Sequence, residues 1–262
     1  MENVISEFKK DSIPSLEIAL DDRNIQGLIF DLDNTVFDTD PYYINKKEKS
    51  FLEVVNNFPV ENEDPTVTVK KISEDVSKKF YDRGCQPLPV KIEYGEGLKA
   101  FYKDNYHPLM DEILDKHFDD FYDNTPEIFP EAIDLFRFFY NYKNMKFFAA
   151  NSLAGDGWTK VKIEYMQQKC RIPNIPYYTT DITHPKDWKK PINDALDKGI
   201  ALKDILVVGD SLESDILPSI KQGIEHLIWI DRRERVAKEV CNIPDTVEVI
   251  VVNTLSDIWN LE

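Results

Sequence analysis

Two acidic clusters carry the strongest chemical signal in this chain. The first is Phe30-Asp31-Leu32-Asp33-Asn34-Thr35, where two carboxylates stand two residues apart, directly after the apolar run Gly27 to Phe30. Carboxylates at the end of a buried strand cost free energy unless a metal or another cation offsets their charge. The second is Val207 to Asp215 (VVGDSLESD), where an apolar run again ends in acid, at Asp210, and Asp215 follows five positions on. Each has a plain structural reading. The first is also what a strand-to-loop turn capped by Asp33 or Asn34 looks like. The second is also a strand, a turn and a helix start, with Asp210 or Ser211 capping and Asp215 favouring the helix dipole. Together they say more. Two strands that each deliver acid at their carboxyl ends assemble a carboxylate cluster on one edge of one sheet, where ligands of open α/β sheets bind. Such hard oxygen donors suit Mg²⁺, which keeps part of its water shell and is completed by a substrate phosphate.

The elements that must hold these residues alternate. Apolar, strand-sized runs occur at Gly27 to Phe30, Lys146 to Ala150, Pro176 to Thr180, Ile205 to Gly209, His226 to Ile230 and Val247 to Val252. Helical patterns separate them at Pro130 to Tyr140, Trp158 to Lys169, Ile192 to Lys198, Ser214 to Gln222 (before Gly223) and Arg232 to Val240. This alternation implies parallel βαβ units in a doubly wound α/β sheet. From about Asp40 to Tyr122 it breaks. Helical patterns at Tyr42 to Asn57, Val67 to Asp82, Gly97 to Tyr106 and Pro108 to Tyr122 mark an insert after the first strand, with a loop expected at Asp82 to Tyr94. The expected division is an N-terminal extension over 1–24, a core over 25–40 and 123–262, and a helical cap over 41–122. Residues 1–24 fit either a helix packed on the body or an arm.

Composition narrows the partners. With 32 Lys and Arg against 48 Asp and Glu, the formal charge is −16, which argues against a nucleic-acid backbone as partner. No apolar run approaches the ~20 residues that span a bilayer, and the N-terminus has no apolar signal core. Cys85, Cys170 and Cys241 lie about 70 to 85 positions apart, which fits neither a disulfide framework nor a zinc knuckle. The expectation is a soluble, cytoplasmic protein with reduced thiols, monomeric or homodimeric, acting on a small molecule. Gly95-Glu96-Gly97 lacks the preceding strand and third glycine of a nucleotide loop. His107, His117, His184 and His226 are scattered away from metal-ligand spacing. The aromatics Phe136 and Phe139, and Tyr42, Phe51, Tyr94 and Phe101 of the insert, read chiefly as core.

Asp31-Leu32-Asp33-Asn34-Thr35 resembles the first motif of the haloacid dehalogenase-like (HAD) hydrolases, and Gly209-Asp210-Ser211 with Asp215 resembles their fourth. The order and separation are similar too, over roughly Gly27 to Asp40 and Thr125 to Leu261. The resemblance implies a Rossmann-like doubly wound core with a helical cap insert. It implies Asp31 as the nucleophile at phosphorus, and Asp33 as the acid that protonates the leaving oxygen and then activates water. It places Mg²⁺ on Asp31, the backbone carbonyl of Asp33, and Asp210, with Asp215 ligating or orienting its waters. The family's third motif is a phosphoryl-neutralising lysine. Counting back from Asp210 favours Lys186, with Lys190 the competitor. Its second motif is a Ser or Thr ending the next strand. Here Asn151 takes that position and Ser152 follows, a departure that leaves both open, each being equally readable as a turn residue. Asn151, Ser152 and Thr35 are the candidate substrate-binding residues.

The implied activity is Mg²⁺-dependent phosphomonoester hydrolysis through an aspartyl-phosphate. Asp33 favours it over dehalogenation, since the family's dehalogenases attack carbon and typically lack the second acid. A phosphonatase would be expected to need a cap lysine. A phosphomutase, which shields the aspartyl-phosphate from water, and a non-catalytic binding protein on the same fold are the alternatives.

Overall fold

The computed structural model describes residues 13–82, 88–232, 243–244 and 246–261. The apolar runs become six strands: β1 (Gly27–Phe30), β2 (Phe147–Ser152), β3 (Tyr177–Thr179), β4 (Ile205–Gly209), β5 (His226–Ile230) and β6 (Glu248–Val252). They form one sheet in the order β3-β2-β1-β4-β5-β6, and every pairing is parallel. The sheet is the Rossmann-like α/β arrangement expected from the alternation. β1 lies at its centre, with Phe30 paired to Ala150 on one side and to Val208 on the other. Asp31 therefore stands between Asn151 and Gly209 on the carboxyl edge.

Central parallel strands are covered on both faces, and their residues alternate between two cores. Leu28, Phe30, Phe148, Ala150, Leu206 and Val208 enter one core. Ile29, Phe147, Ala149, Ile205 and Val207 enter the other. The first is closed by α6 (Pro130–Asn141) and α7 (Asp156–Cys170), through Phe136, Phe139, Ile163 and Met166. The Phe30 and Phe136 ring centroids stand 4.7 Å apart. The second is closed by α8 (Lys189–Asp197) and the segment around Ile216. Cys170 is buried and free, and burial pushes its thiol up to about 11. Cys85, Cys241 and the helix expected after Arg232 lie outside the described residues.

From Ile13 the N-terminal segment is a helix, α1 (Ile13–Asp22), and Leu16 and Leu20 join the first core beside Leu255 and Ile258. Arg23 fastens its end, Nε and Nη2 each donating at 2.7 Å to the carboxylate of Glu248 on β6. Some boundaries shift for local reasons. α8 begins at Lys189 because the Asp187 carboxylate accepts from the amides of Lys189 and Lys190. The stretch Ser214 to Gln222 is not one regular helix: a π turn (Leu212–Ile216) precedes the short α9 (Leu217–Lys221). The Ser211 carbonyl accepts from the amides of both Asp215 and Ile216, and Pro218 lacks an amide to continue the ladder.

The chain divides into two compact units. One comprises Met1–Asp38, Glu127–Thr180 and Pro185–Glu262; the other comprises Thr39–Pro126 with Asp181–His184. The second contains α2 (Thr39–Asn57), α3 (Pro65–Asp82), α4 (Val90–Tyr102) and α5 (Leu109–Phe118). The loop expected up to Tyr94 is thus helical from Val90, because Pro89 stands where the first turn starts and its carbonyl accepts from Ile92 and Glu93. Gly95 and Gly97 are inside α4. The aromatics pack on one another: Tyr94 lies 5.6 Å from Phe51 and 5.4 Å from Phe118, and Tyr42 lies 4.8 Å from Phe121. Among the described residues no helix is long and apolar enough to cross a membrane.

Candidate active site

Asp31 extends β1 by one residue. Its amide donates to the Val208 carbonyl at 2.9 Å, and its side chain is buried. The chain then turns sharply. Asn34 adopts the left-handed conformation with φ of 56°, which Asn tolerates better than most residues. The Leu32 carbonyl accepts from the amides of Val36 and Phe37, both at 2.9 Å. Arg232 braces the turn from outside: Nε donates to the Asn34 carbonyl at 3.3 Å, and the guanidinium lies 3.8 Å from the Phe129 ring centroid. Thr35 is fully buried, and its Oγ1 has no hydrogen-bond partner.

From β4 come Asp210 and Asp215. The π turn swings Asp215 back onto the strand end, where its Oδ2 accepts from the Ser211 amide at 3.1 Å. Asp31, Asp210 and Asp215 bring one carboxylate oxygen each within 4.8 Å of one another. Lys186 enters the same space. Its Nζ donates to Asp31 Oδ1 at 2.5 Å and to Asp215 Oδ1 at 2.7 Å. Three bonds pin its loop. Asn151 Nδ2 donates to the Asp187 carbonyl at 3.0 Å, the Asp187 amide donates to Thr180 Oγ1 at 2.9 Å, and Trp188 Nε1 donates to the Ser214 carbonyl at 2.7 Å. Lys190 goes elsewhere, its Nζ 5.8 Å from the Tyr178 ring centroid.

The two second-motif candidates differ. Both are fully buried. Ser152 Oγ accepts from the Ala154 amide at 3.2 Å, a turn interaction. Asn151 holds the lysine loop through Nδ2 and keeps a buried Oδ1 without a hydrogen-bond partner.

Burial raises the Asp31 carboxyl to about 7; Lys186 pulls it back, while Asp215 and Asp33 add to the rise. Burial works against the Lys186 ammonium, but Asp215 and Asp31 outweigh it and hold its pKa above the ordinary lysine range. The cluster is thus three neighbouring carboxylates, two of them bonded to one ammonium, with hard oxygen donors only. It fits a divalent cation of the Mg²⁺ type, because added positive charge relieves what burial penalises at Asp31.

Asp33 takes a different partner, one that spacing does not reveal. Its two carboxylate oxygens both accept from Lys162 Nζ, at 2.9 and 2.7 Å. Lys162 is fully buried on α7, and its Nζ stands 4.0 Å from the Trp158 ring centroid. A lysine inside a mixed helical run reads as a solvated charge. The one available signal was Trp158 four positions before it, on the same helix face.

No family model and no curated protein matches the chain. Solved structures do. YfnB from Bacillus subtilis, assigned to the HAD hydrolases and bound to magnesium, is 14% identical with a TM-score of 0.60, over 90% of this chain and 97% of that one. A 2-haloacid dehalogenase from Pseudomonas syringae pv. Tomato is 17% identical with a TM-score of 0.51, over 89% and 96%. A HAD phosphatase from Thermococcus onnurineus is 13% identical with a TM-score of 0.50, over 89% and 96%. At such identities the likeness concerns the fold, and the fold of this chain is that of the haloacid dehalogenase-like superfamily.

Proposed function

We propose that this chain is a hydrolase of phosphomonoesters on small metabolites, dependent on Mg²⁺ and working through an aspartyl-phosphate on Asp31. The observation that carries the reading is the separation of the two acids of the first motif. Asp31 sits with Lys186, Asp210 and Asp215, while Asp33 is held apart on Lys162. This separation supports giving Asp31 the attack on phosphorus, beside Lys186 and a cation that the acids would hold, and giving its neighbour Asp33 the proton transfer. An Asp31 oxygen attacks phosphorus as the bond to the leaving oxygen breaks, and Asp33 supplies the proton that oxygen needs. Asp33 then takes a proton from water as the water attacks the aspartyl-phosphate, releasing inorganic phosphate and restoring Asp31. Lys186 neutralises phosphoryl oxygens throughout. Asp31, Asp210, Asp215 and the Asp33 carbonyl would hold Mg²⁺, which when bound supplies further positive charge against the transferring group. Displacement of halide from carbon leaves an ion that needs no proton, so the leaving-group step of a dehalogenase has no use for an acid at Asp33.

The test is steady-state hydrolysis of p-nitrophenyl phosphate with and without Mg²⁺, beside Asp31→Asn and beside halide release from 2-chloropropionate. Mg²⁺-dependent turnover lost in Asp31→Asn is expected. Halide release without phosphate release would sink the reading in favour of a dehalogenase. Neither activity, together with no Mg²⁺ binding by calorimetry, would favour a binding protein.

A further inference from the structure

We propose that Lys162, seated on Trp158, is a positioning residue that sets the Asp33 carboxylate for proton transfer. The inference rests on the phosphohydrolase reading and goes beyond it. Asp31 and Asp33 are two residues apart on one sharp turn, and each has its own buried lysine. Lys186 bonds Asp31 and Asp215, whereas Lys162 bonds Asp33 through both oxygens. The Asp33 carboxylate stands outside the cluster of Asp31, Asp210 and Asp215. Without Lys162, a carboxylate this close to a cation site is free to swing into it.

Lys162 is built for the task. Its side chain is wholly buried while that of Asp33 is 28% exposed, so the lysine holds the acid from its buried side. A buried ammonium needs a compensating charge, and Asp33 supplies it. The Trp158 ring face lies under the same nitrogen at 4.0 Å, and cation–π attraction is strongest for Trp. Trp158 and Lys162 are both buried on α7, four positions apart. The ring and the carboxylate thus fix Nζ from two directions, and Nζ fixes the carboxylate.

The experiment compares kcat/KM for p-nitrophenyl phosphate and phenyl phosphate in wild type, Lys162→Met, Lys162→Arg, Asp33→Asn and the Asp33→Asn/Lys162→Met double variant. Phenol is the poorer leaving group and depends more on a delivered proton. Lys162→Met is expected to lose about 10²-fold on phenyl phosphate and clearly less on p-nitrophenyl phosphate, with partial recovery in Lys162→Arg. The double variant is expected to match Asp33→Asn alone, since the lysine acts through that acid. Should Lys162→Met fail to fold, the double variant still decides, because it removes both charges together. Equal losses on both substrates, or a further loss when Lys162→Met is added to Asp33→Asn, would overturn the role. Wild-type turnover with an unaffected Lys162→Met would overturn it alone. No wild-type turnover on either ester would overturn the phosphohydrolase reading and this role with it.

Discussion

The Asp215 side chain occupies the space that a side chain on Gly209 would need. A Cβ built on Gly209 comes within 2.6 Å of both Asp215 Cβ and Oδ2, closer than real atoms approach. The glycine that ends β4 is therefore what lets Asp215 fold back onto the strand, accept from Ser211 and reach Lys186. Gly209→Ala is expected to cost about 1–3 kcal/mol of stability through overpacking. It should weaken Mg²⁺ binding by about 10–100-fold, the usual effect of disturbing the groups that orient metal ligands. Calorimetric titration checks this, and a variant that binds Mg²⁺ like wild type would show that Asp215 does not depend on this space.

The pH dependence of the metal-free protein should report Asp31. Its folded pKa is about 7 against an ordinary 3.8, with burial the main cause. The fold thus favours the protonated form. The contribution of this group to stability is complete below about pH 4 and is lost as pH rises through about 7. Asn imitates the neutral acid and has no such dependence. In EDTA, the Tm of wild type minus that of Asp31→Asn should fall steadily between pH 4 and pH 8. Mg²⁺ competes with the proton, so the rise in Tm on adding Mg²⁺ should be larger at pH 8 than at pH 5.5. A difference that is flat with pH would mean that Asp31 is not held protonated.

Much of this arrangement is written locally, and some is not. β1, β4 and β5 follow from short apolar runs bounded by turn residues, and the carboxyl edge follows from the acids after Phe30 and Gly209. Lys186, with Lys190 competing, was reachable only through the resemblance, whose third motif falls at this distance in sequence before Asp210. Lys162 was not, because its burial depends on where α7 packs, and a helix carrying lysines along most of its length does not announce which one turns inward. Arg232 is illegible for a similar reason: its partner is a main-chain carbonyl at Asn34, which no side-chain pattern marks. The start of α4 at Val90 is not legible in the sequence, because Pro reads as a breaker when its position relative to the first helical turn is unknown. Ser214 to Gln222 reads as one ordinary helix because the wide turn at its start comes from two amides sharing one carbonyl, a feature of geometry and not of residue type.

Asn151 separates two ways of filling the second-motif position. It holds the Asp187 carbonyl next to Lys186, and its buried Oδ1 has no protein hydrogen-bond partner. Asn151→Ala removes the bond that restrains the lysine loop, a loss of about 1 kcal/mol or somewhat more. In activity terms kcat/KM should drop by about tenfold, with Lys186 less well placed. Asn151→Ser offers a hydroxyl too short to reach the loop in the same way. Activity kept in the serine variant and lost in the alanine variant would mean that this position acts on the substrate directly; equal losses in both would mean that it acts through the Asp187 loop.

The helical unit has its own close contact. Gly97 on α4 faces Val76 on α3, and a Cβ at Gly97 would lie 2.2 Å from Val76 Cγ2 and 3.3 Å from Val76 Cα. Glycine within a helix costs about 1 kcal/mol relative to alanine, so its presence here is explained by the approach of the two helices. Gly97→Ala should destabilise the protein despite the better helix propensity, since overpacking costs about 1–3 kcal/mol. Val76→Ala removes the obstructing methyls. The pair should therefore couple, with Gly97→Ala far less harmful, or even stabilising, in the Val76→Ala background. Urea denaturation of the two single variants and the double variant measures that coupling. Additive effects would show that α3 and α4 do not rely on this contact for their spacing.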